Sequence, residues 1–245
     1  MPVFYEDGTP LFRRLAIPKG VTAFVGGGGK TTLMLRLARE LAACGRVLVT
    51  TTTHIWPPEG MPVLLDPDDG AVRAALEAAN PVCVGVREET GKLTPCRVAM
   101  TRLCELADYV LVEADGARGM PLKAPAAHEP VIPENAALVV AVAGLSGVGK
   151  PIVKTVFRGA LYAALLGCDE AHIVTPEDVA RVLSGECGQY KGVPVGARFA
   201  VVLNQADGQA QLADAARIAA LLPANRVERV AITSRPGWNK ERAEC

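Results

Sequence analysis

Short, largely apolar runs alternate along this chain with longer segments of helical character. The apolar runs lie at residues 21–25, 46–51, 81–86, 108–115, 137–143, 198–204 and 227–233. Segments with helical periodicity or helix-forming composition lie at 33–42, 99–107, 154–167, 176–184 and 210–222. Apolar strands that alternate with helices are typical of a parallel sheet covered on both faces. We therefore predict an α/β fold, a mostly parallel sheet with helices on both faces, as a single domain over residues 1–245.

Three stretches carry weaker patterns. Residues 1–20 are interpreted as a lead-in segment, and residues 52–80 as a loop followed by mixed helix. Residues 87–94 predict a polar hairpin that turns at Thr90 and Gly91.

A glycine-rich segment, residues 24–32, separates the first predicted strand from the first predicted helix. Glycine lets backbone N–H groups approach phosphate oxygens, and the helix N-terminus adds a partial positive charge. Lys30 would contact the β- and γ-phosphates, and the Thr31 hydroxyl would bind Mg²⁺. The segment predicts a phosphate-binding loop in a P-loop NTPase-like three-layer fold. The predicted nucleotide-binding residues of this loop are Gly26, Gly27, Gly28, Gly29, Lys30, Thr31 and Thr32.

The spacing of this loop is shorter than usual. The standard loop has a glycine five residues before the Gly-Lys pair, and here that position is Phe24. Short Gly-x-x-Gly-Lys-Thr loops of this form resemble those of the Mur ligases, which bind ATP. A second segment, residues 144–150, has the standard spacing but is followed by Pro151, which supplies neither a hydroxyl nor an N–H group. We therefore assign the phosphate site to the first loop and interpret the second as a turn near the nucleotide.

Polar residues close several predicted strands, at the sheet edge where ligands bind to parallel α/β folds. Glu113 and Asp115 close one strand, and an acid there commonly holds the water shell of Mg²⁺ or positions a water. Four threonines at residues 50–53 close another strand, and Thr52 is a predicted Mg²⁺ ligand with Thr31 and Glu113. The predicted catalytic residues are Lys30, Glu113, Asp115 and Arg118.

A loop rich in proline and glycine follows these acids and carries Arg118, Lys123 and His128. Cations at the active edge of the sheet could bind an anionic substrate or stabilise transition-state charge. Lys123 and His128 are therefore predicted substrate-binding residues.

A candidate base-binding motif follows the predicted strand at 198–204. Residues 204–207 resemble the Asn-Lys-x-Asp guanine-binding motif of GTPases, with Gln205 in place of lysine. The Asp207 carboxylate could accept hydrogen bonds from guanine N1–H and N2–H, which adenine does not offer. Ser234 lies where GTPases place a second base-contacting loop. We predict that Asn204, Asp207 and Ser234 contact the base, with GTP favoured over ATP.

The composition narrows the set of partners and compartments. The chain has 26 basic and 26 acidic residues and a net charge of zero, which argues against nucleic acid or a membrane surface as partner. No run reaches the ~20 apolar residues of a spanning helix, and the N-terminus lacks the features of a signal peptide. We expect a cytoplasmic protein whose seven scattered cysteines are reduced thiols.

Taken together, these motifs resemble the YqeC family of selenium-dependent hydroxylase accessory proteins. The resemblance covers about residues 20–235 and rests on residues 24–32, 47–54, 112–119, 122–125, 128–130, 144–151 and 203–207. It implies a P-loop protein that acts in the maturation of molybdenum hydroxylases carrying labile selenium. The implied partners are such a hydroxylase or its cofactor-assembly proteins. The family pattern usually has lysine at position 205 and places the loop at 144–151 outside the phosphate site.

Three hypotheses about function follow. The first is a Mg²⁺-dependent NTPase in which hydrolysis switches the loops at 50–56 and 115–128. The second is a Mur-like ligase, kinase or nucleotidyltransferase that acts on a small anionic substrate. The third is a nucleotide-responsive binding module without turnover.

Overall fold

The computed structural model describes residues 1–235. The strands are β1 (Val3–Phe4), β2 (Gly20–Gly26), β3 (Val47–Thr51), β4 (Val63–Leu65), β5 (Val82–Arg87), β6 (Leu93–Thr94), β7 (Tyr109–Glu113), β8 (Leu122–Lys123), β9 (Ala136–Gly144), β10 (Val156–Phe157), β11 (Arg198–Asn204) and β12 (Arg229–Ile232). The helices are α1 (Leu11–Leu15), α2 (Lys30–Leu41), α3 (Asp69–Ala78), α4 (Met100–Leu106), α5 (Ile152–Thr155), α6 (Gly159–Leu166), α7 (Pro176–Ser184) and α8 (Gln209–Leu221). None of these helices is long and apolar enough to cross a membrane. The last residues of the predicted domain, 236–245, lie outside the described part.

One large sheet organises the fold, with strands in the order β1-β12-β11-β9-β2-β7-β3-β5-β4. All neighbours in this order are parallel, and β6 adds to β5 in the antiparallel direction. The chain continues from β2 to β3 on one side of the sheet and later to β9 and β11 on the other. In open parallel sheets such a reversal of strand order creates a crevice at the carboxyl ends of the strands. Here the reversal lies between β2 and β9. The glycine-rich loop begins at the carboxyl end of β2, directly beside this reversal.

Two apolar clusters cover the two faces of the sheet. On one face Phe24 and Val49 pack with residues of α1 and α2, such as Leu15 and Leu37. On the other face the alternate strand residues pack with residues of α3, α4, α6, α7 and α8. Side chains along a strand point alternately to the two faces, so strands buried on both sides must be apolar throughout. This three-layer arrangement confirms the predicted α/β class.

Three segments differ from the sequence prediction. Residues 1–20 are more than a lead-in, because β1 pairs with β12 and α1 contacts both β12 and α2. The stretch at 52–80 contains the short strand β4 besides α3. The single helix predicted at 154–167 is wrong, because β10 separates α5 from α6 and pairs with β8. Arg158 follows β10 with a left-handed backbone, φ 63°, which an α-helix does not allow.

Candidate functional site

The glycine loop connects β2 to α2 through Gly26, Gly28 and Gly29, which have φ angles of +96°, +79° and +103°. Non-glycine residues rarely adopt this left-handed region. The space around the loop excludes a side chain as firmly as the backbone torsion angles do, because a Cβ on Gly28 would collide with the backbone of Gly144. A Cβ on Gly26 would likewise collide with the carbonyl oxygen of Val142. The loop therefore lies tightly against the end of β9, at the reversal of strand order.

The backbone N–H groups of this loop are held by neighbouring segments. Gly27 N donates to Val142 O at 2.9 Å, and Gly28 N donates to Met120 O at 3.0 Å. Gly26 N donates to Asp115 Oδ2 at 2.9 Å. The segment at 115–121 thus closes over the glycine loop from the side of β7.

The Lys30 side chain folds back onto its own loop. Its Nζ donates to Gly26 O at 2.6 Å and lies 3.0 Å from Asp115 Oδ1. The residue is 4% exposed. Burial lowers the pKa of the Lys30 ammonium, but Asp115 and Glu113 outweigh this effect and the net pKa lies above its ordinary value. Lys30 is therefore a charged group held inside the site.

A row of alternating charges begins at Lys30. Lys123 Nζ lies 2.9 Å from Asp115 Oδ2 and 2.7 Å from Glu129 Oε2, and Glu129 also pairs with the Arg158 guanidinium. Burial raises the pKa of Glu129, but Arg158 and Lys123 outweigh it and hold this pKa below its ordinary value. We call these five residues, Lys30, Asp115, Lys123, Glu129 and Arg158, the charge row.

Thr31 and Glu113 form the second contact between the start of α2 and the end of β7. Thr31 Oγ1 donates to Glu113 Oε2 at 2.6 Å. Burial raises the pKa of Glu113 above its ordinary value, against the opposing effects of Lys30 and the Thr31 hydroxyl. A hydroxyl and a carboxylate this close have the chemistry of two neighbouring Mg²⁺ ligands.

Thr52 lies next to this pair. Its N–H donates to Glu113 O at 3.1 Å, and its hydroxyl donates to Val131 O at 2.6 Å. Within residues 1–235, no group of three or more His, Cys, Asp or Glu residues could hold a metal ion. The oxygens present fit Mg²⁺, which usually keeps several waters and takes one or two carboxylates plus substrate phosphates.

The predicted substrate-binding cations occupy different environments. Lys123 is buried in the charge row, whereas Arg118 and His128 are exposed. The Arg118 guanidinium carbon lies 5.3 Å from the centre of the Phe157 ring, and that of Arg158 lies 4.9 Å from it. Sequence reasoning missed Phe157 and Arg158 because they fell within a predicted helix. The strand-forming pair Val156 and Phe157 was the signal that could have found the break in that helix.

The predicted base-binding residues lie along the same edge of the sheet. Asn204 Nδ2 donates to Gly28 O at 2.7 Å, and Thr233 Oγ1 donates to Asn204 Oδ1 at 2.9 Å. Asn204 therefore ties the glycine loop to the end of β12.

Asp207 and Ser234 already have partners within the chain. Asp207 Oδ1 accepts from Arg235 N at 2.9 Å, and its other oxygen pairs with the Arg235 side chain. Ser234 Oγ donates to Glu6 Oε2 at 2.6 Å. A base that used the Asp207 carboxylate would have to displace Arg235.

The loop at 144–150 lies beside the glycine loop but directs its lysine elsewhere. Residues Leu145–Gly147 form a 3₁₀ turn, and Ser146 donates a hydrogen bond to Gln205. Gly149 N donates to Val174 O at 2.9 Å, and Lys150 is exposed. Its lysine therefore does not join the charge row.

The described residues form a three-layer α/β protein with a mostly parallel sheet, which is consistent with a P-loop NTPase-like fold. Comparison with known proteins gives its family. The family model described as YqeC protein matches residues 22–160. The chain is 35% identical over 193 residues to "Uncharacterized protein YqeC" of Escherichia coli (strain K12), an alignment covering 76% of this chain and 75% of that relative. The chain belongs to the YqeC family. No solved structure matches it.

Proposed function

We propose that this protein binds a nucleoside triphosphate with Mg²⁺ at the glycine loop and hydrolyses it. The observation that carries the proposal is the 2.6 Å contact between Thr31 Oγ1 and Glu113 Oε2, directly after a glycine loop and its lysine. A hydroxyl at the start of the helix and an acid at the end of the neighbouring strand are the protein groups that P-loop NTPases use for Mg²⁺.

Phosphate binding would use the start of α2. The first N–H groups of a helix have no partner within the helix, and its dipole favours an anion there. Gly29 precedes Lys30 and is exposed, so this end of the helix is open to solvent. The Lys30 ammonium would leave Gly26 O and the Asp115 carboxylate and would bind phosphate oxygens instead.

Thr31 and Glu113 would hold Mg²⁺, with Thr52 as a further oxygen beside them. The ion would neutralise charge that develops on the phosphates during transfer. Glu113 is buried at the end of β7, so it can also orient a water molecule in a partly dehydrated environment. Arg118, exposed on the loop that contacts the glycine loop, would supply further positive charge.

Guanine is the base that Asp207 fits best. The carboxylate follows β11 on the same edge as the glycine loop, and it already accepts two hydrogen bonds from Arg235. Guanine N1–H and N2–H would present a similar pair of donors. Asp207→Ala should therefore weaken the binding of GTP more than that of ATP, as measured by calorimetric titration. Equal losses for both nucleotides would remove the preference for GTP.

A second candidate function is a ligase, kinase or nucleotidyltransferase that acts on a small anionic substrate. The observation that favours it is Arg118, which is exposed and forms no ion pair with any residue in the described part of the chain. Arg118 and His128 would then hold the acceptor.

The family context suggests where the activity would be used. We propose that it acts in the maturation of selenium-dependent molybdenum hydroxylases, with such a hydroxylase or its cofactor-assembly proteins as partner. The support is the motif resemblance described above and membership of the YqeC family.

The first experiment is a calorimetric titration with non-hydrolysable analogues of GTP and ATP, each with and without Mg²⁺. We expect Mg²⁺-dependent binding of at least one analogue, and binding of neither would contradict the proposal. Phosphate release is then measured with GTP and ATP. Release by the protein alone supports hydrolysis, whereas release only with an added acceptor supports the transferase or ligase. Binding without any release would make the protein a nucleotide-responsive binding module.

A further inference from the structure

Asp115 occupies the centre of the charge row and is fully buried. Three nitrogen groups surround its carboxylate: Gly26 N at 2.9 Å, Lys30 Nζ at 3.0 Å and Lys123 Nζ at 2.9 Å. One carboxylate therefore anchors both the backbone at the start of the glycine loop and the side chain at its end. This leaves Asp115 little freedom to act on a substrate.

Nucleotide binding at this loop would change the charge balance around Asp115. Lys30 can contact phosphate oxygens only if its ammonium leaves Asp115 Oδ1. The Asp115 side chain is 0% exposed, so water cannot replace the departing cation without a rearrangement. A buried carboxylate without a cation is strongly unfavourable. Some other positive charge must remain beside Asp115 for Lys30 to be free to move.

Lys123 is the cation that can remain. Its side chain is 0% exposed, and it is held from the far side by Glu129, which is in turn paired with Arg158. Its backbone is fixed as well, because Gln189 Nε2 donates to Lys123 O at 2.8 Å and β8 pairs with β10. Nothing in this arrangement presents the ammonium of Lys123 to a solvent-borne substrate.

We infer that Lys123 is a positioning residue of the nucleotide site: it balances the charge of Asp115 when Lys30 moves to the phosphates. Asp115 then keeps its hydrogen bond to Gly26 N, and the start of the glycine loop stays in place. This inference rests on the proposed function. It also replaces the substrate-binding role predicted for Lys123 with an internal one.

The test compares the affinity for non-hydrolysable GTP and ATP analogues, each with Mg²⁺, among four proteins. These are the wild type, Lys123→Met, the charge-balanced double variant Asp115→Asn with Lys123→Met, and Lys154→Met as a control. Lys154 is an exposed lysine on α5. Thermal unfolding of each protein is measured in parallel.

We expect Lys123→Met to weaken binding about tenfold or more, because Lys30 would leave an unpaired carboxylate behind. The double variant should recover most of the affinity, since the neutral amide introduced by Asp115→Asn needs no cation, and Lys154→Met should bind like the wild type. A residue with only a structural role would lower the unfolding temperature of the nucleotide-free protein in step with the affinity. In the positioning role, Lys30 still pairs with Asp115 in the nucleotide-free Lys123→Met protein, so the loss appears mainly in the affinity. If Lys123→Met does not fold, a double variant that folds and binds like the wild type still supports the inference.

Two results would overturn the inference while leaving the proposed function intact. One is that the wild type binds an analogue and the Lys123→Met variant binds the same analogue equally well. The other is a double variant that binds no better than Lys123→Met, or that also fails to fold. A wild type that binds neither analogue instead contradicts the proposed function itself.

Discussion

Two glycine-rich loops follow two neighbouring parallel strands, β2 and β9, but only the first leads into a cluster of charges. Lys30 of the first loop is buried, contacts Asp115, and begins the 12-residue helix α2. Lys150 of the second loop is exposed and is followed by Pro151 and the four-residue helix α5.

The difference shows that the standard spacing of glycines does not by itself place the following lysine in a buried cluster of charges. The second loop has the standard Gly-x-x-x-x-Gly-Lys spacing, and the first does not. After Lys150, the backbone turns to pair with a neighbouring segment, where Ile152 N donates to His172 O and Val174 N donates to Lys150 O. After Lys30, the backbone enters a long helix, which keeps N–H groups and the Thr31 hydroxyl at the end of the sheet.

The largest expected contrast is between the two lysines. Lys30→Met should weaken nucleotide binding by about a hundredfold or more, the loss of one strong charge-assisted contact, as measured by calorimetry. Lys150→Met should change affinity less than about twofold, because an exposed lysine outside the site contributes little. Thermal unfolding controls for the Lys30 variant, in which Lys123 still pairs with Asp115. The reverse pattern of affinities would mean that the second loop is the phosphate site.

The next contrast concerns the packing of the two loops. Gly28→Ala should lower the free energy of unfolding by about 2–4 kcal/mol, because its Cβ would collide with Gly144 backbone and its φ is +79°. Gly149→Ala should lower it by only about 1 kcal/mol, since φ is +76° but nothing lies within 4 Å of the added Cβ. Denaturant unfolding measures both values. Similar losses would show that the close contact between the loops is not rigid.

A smaller contrast lies within the first loop. Thr31→Ala should weaken Mg²⁺-dependent nucleotide binding about tenfold, because it removes the hydroxyl that meets Glu113. Thr32→Ala is the comparison variant: Thr32 is a predicted nucleotide-binding residue and the exposed neighbour of Thr31, but only Thr31 donates to Glu113, so any loss in Thr32→Ala should not depend on Mg²⁺. Titration with and without Mg²⁺ separates the two variants. If the two variants lost the same amount of Mg²⁺-dependent binding, Thr31 would be excluded as the Mg²⁺ ligand.

The smallest expected effect is that of a substitution that completes the phosphate-loop sequence pattern in the second loop. Pro151→Thr gives residues 144–151 the full Gly-x-x-x-x-Gly-Lys-Thr sequence. We expect no gain of nucleotide binding in a Lys30→Met background, because backbone groups at 149–153 remain paired with residues 170–174. Recovered binding, measured by the same titration, would show that the sequence pattern outweighs the backbone pairing.

Much of the fold could be predicted because its central strands are apolar on both faces. The run at 137–143 is β9, Ala136–Gly144, and the run at 198–204 is β11, Arg198–Asn204. The strands β1 and β4 were missed because two or three residues are too few to show a period. The prediction of a helix at 154–167 was wrong because Val156 and Phe157 pair with β8, a partner far away in the sequence.

The site could be predicted only in part. Lys30, Thr31, Glu113 and Asp115 come together because parallel strands end at one edge of the sheet. The burial of the Lys123 side chain could not be predicted from the sequence, since a lysine in a loop of prolines and glycines is ordinarily a surface residue. It depends on Asp115 and Glu129, from two other segments, reaching the same buried point beside β8.

The hydrogen bonds that hold the glycine loop also bear on the kinetics of binding. In the proposed function, a phosphate would reach the N–H of Gly28 only after Met120 O has released it, so binding that uses this group would require the loop to open first. The apparent dissociation constant is then the intrinsic one divided by the fraction of open molecules. The association rate of a fluorescent nucleotide would rise with concentration and level off at the opening rate. The release of a single carbonyl group would thus set the upper limit on the rate of nucleotide binding in the proposed function.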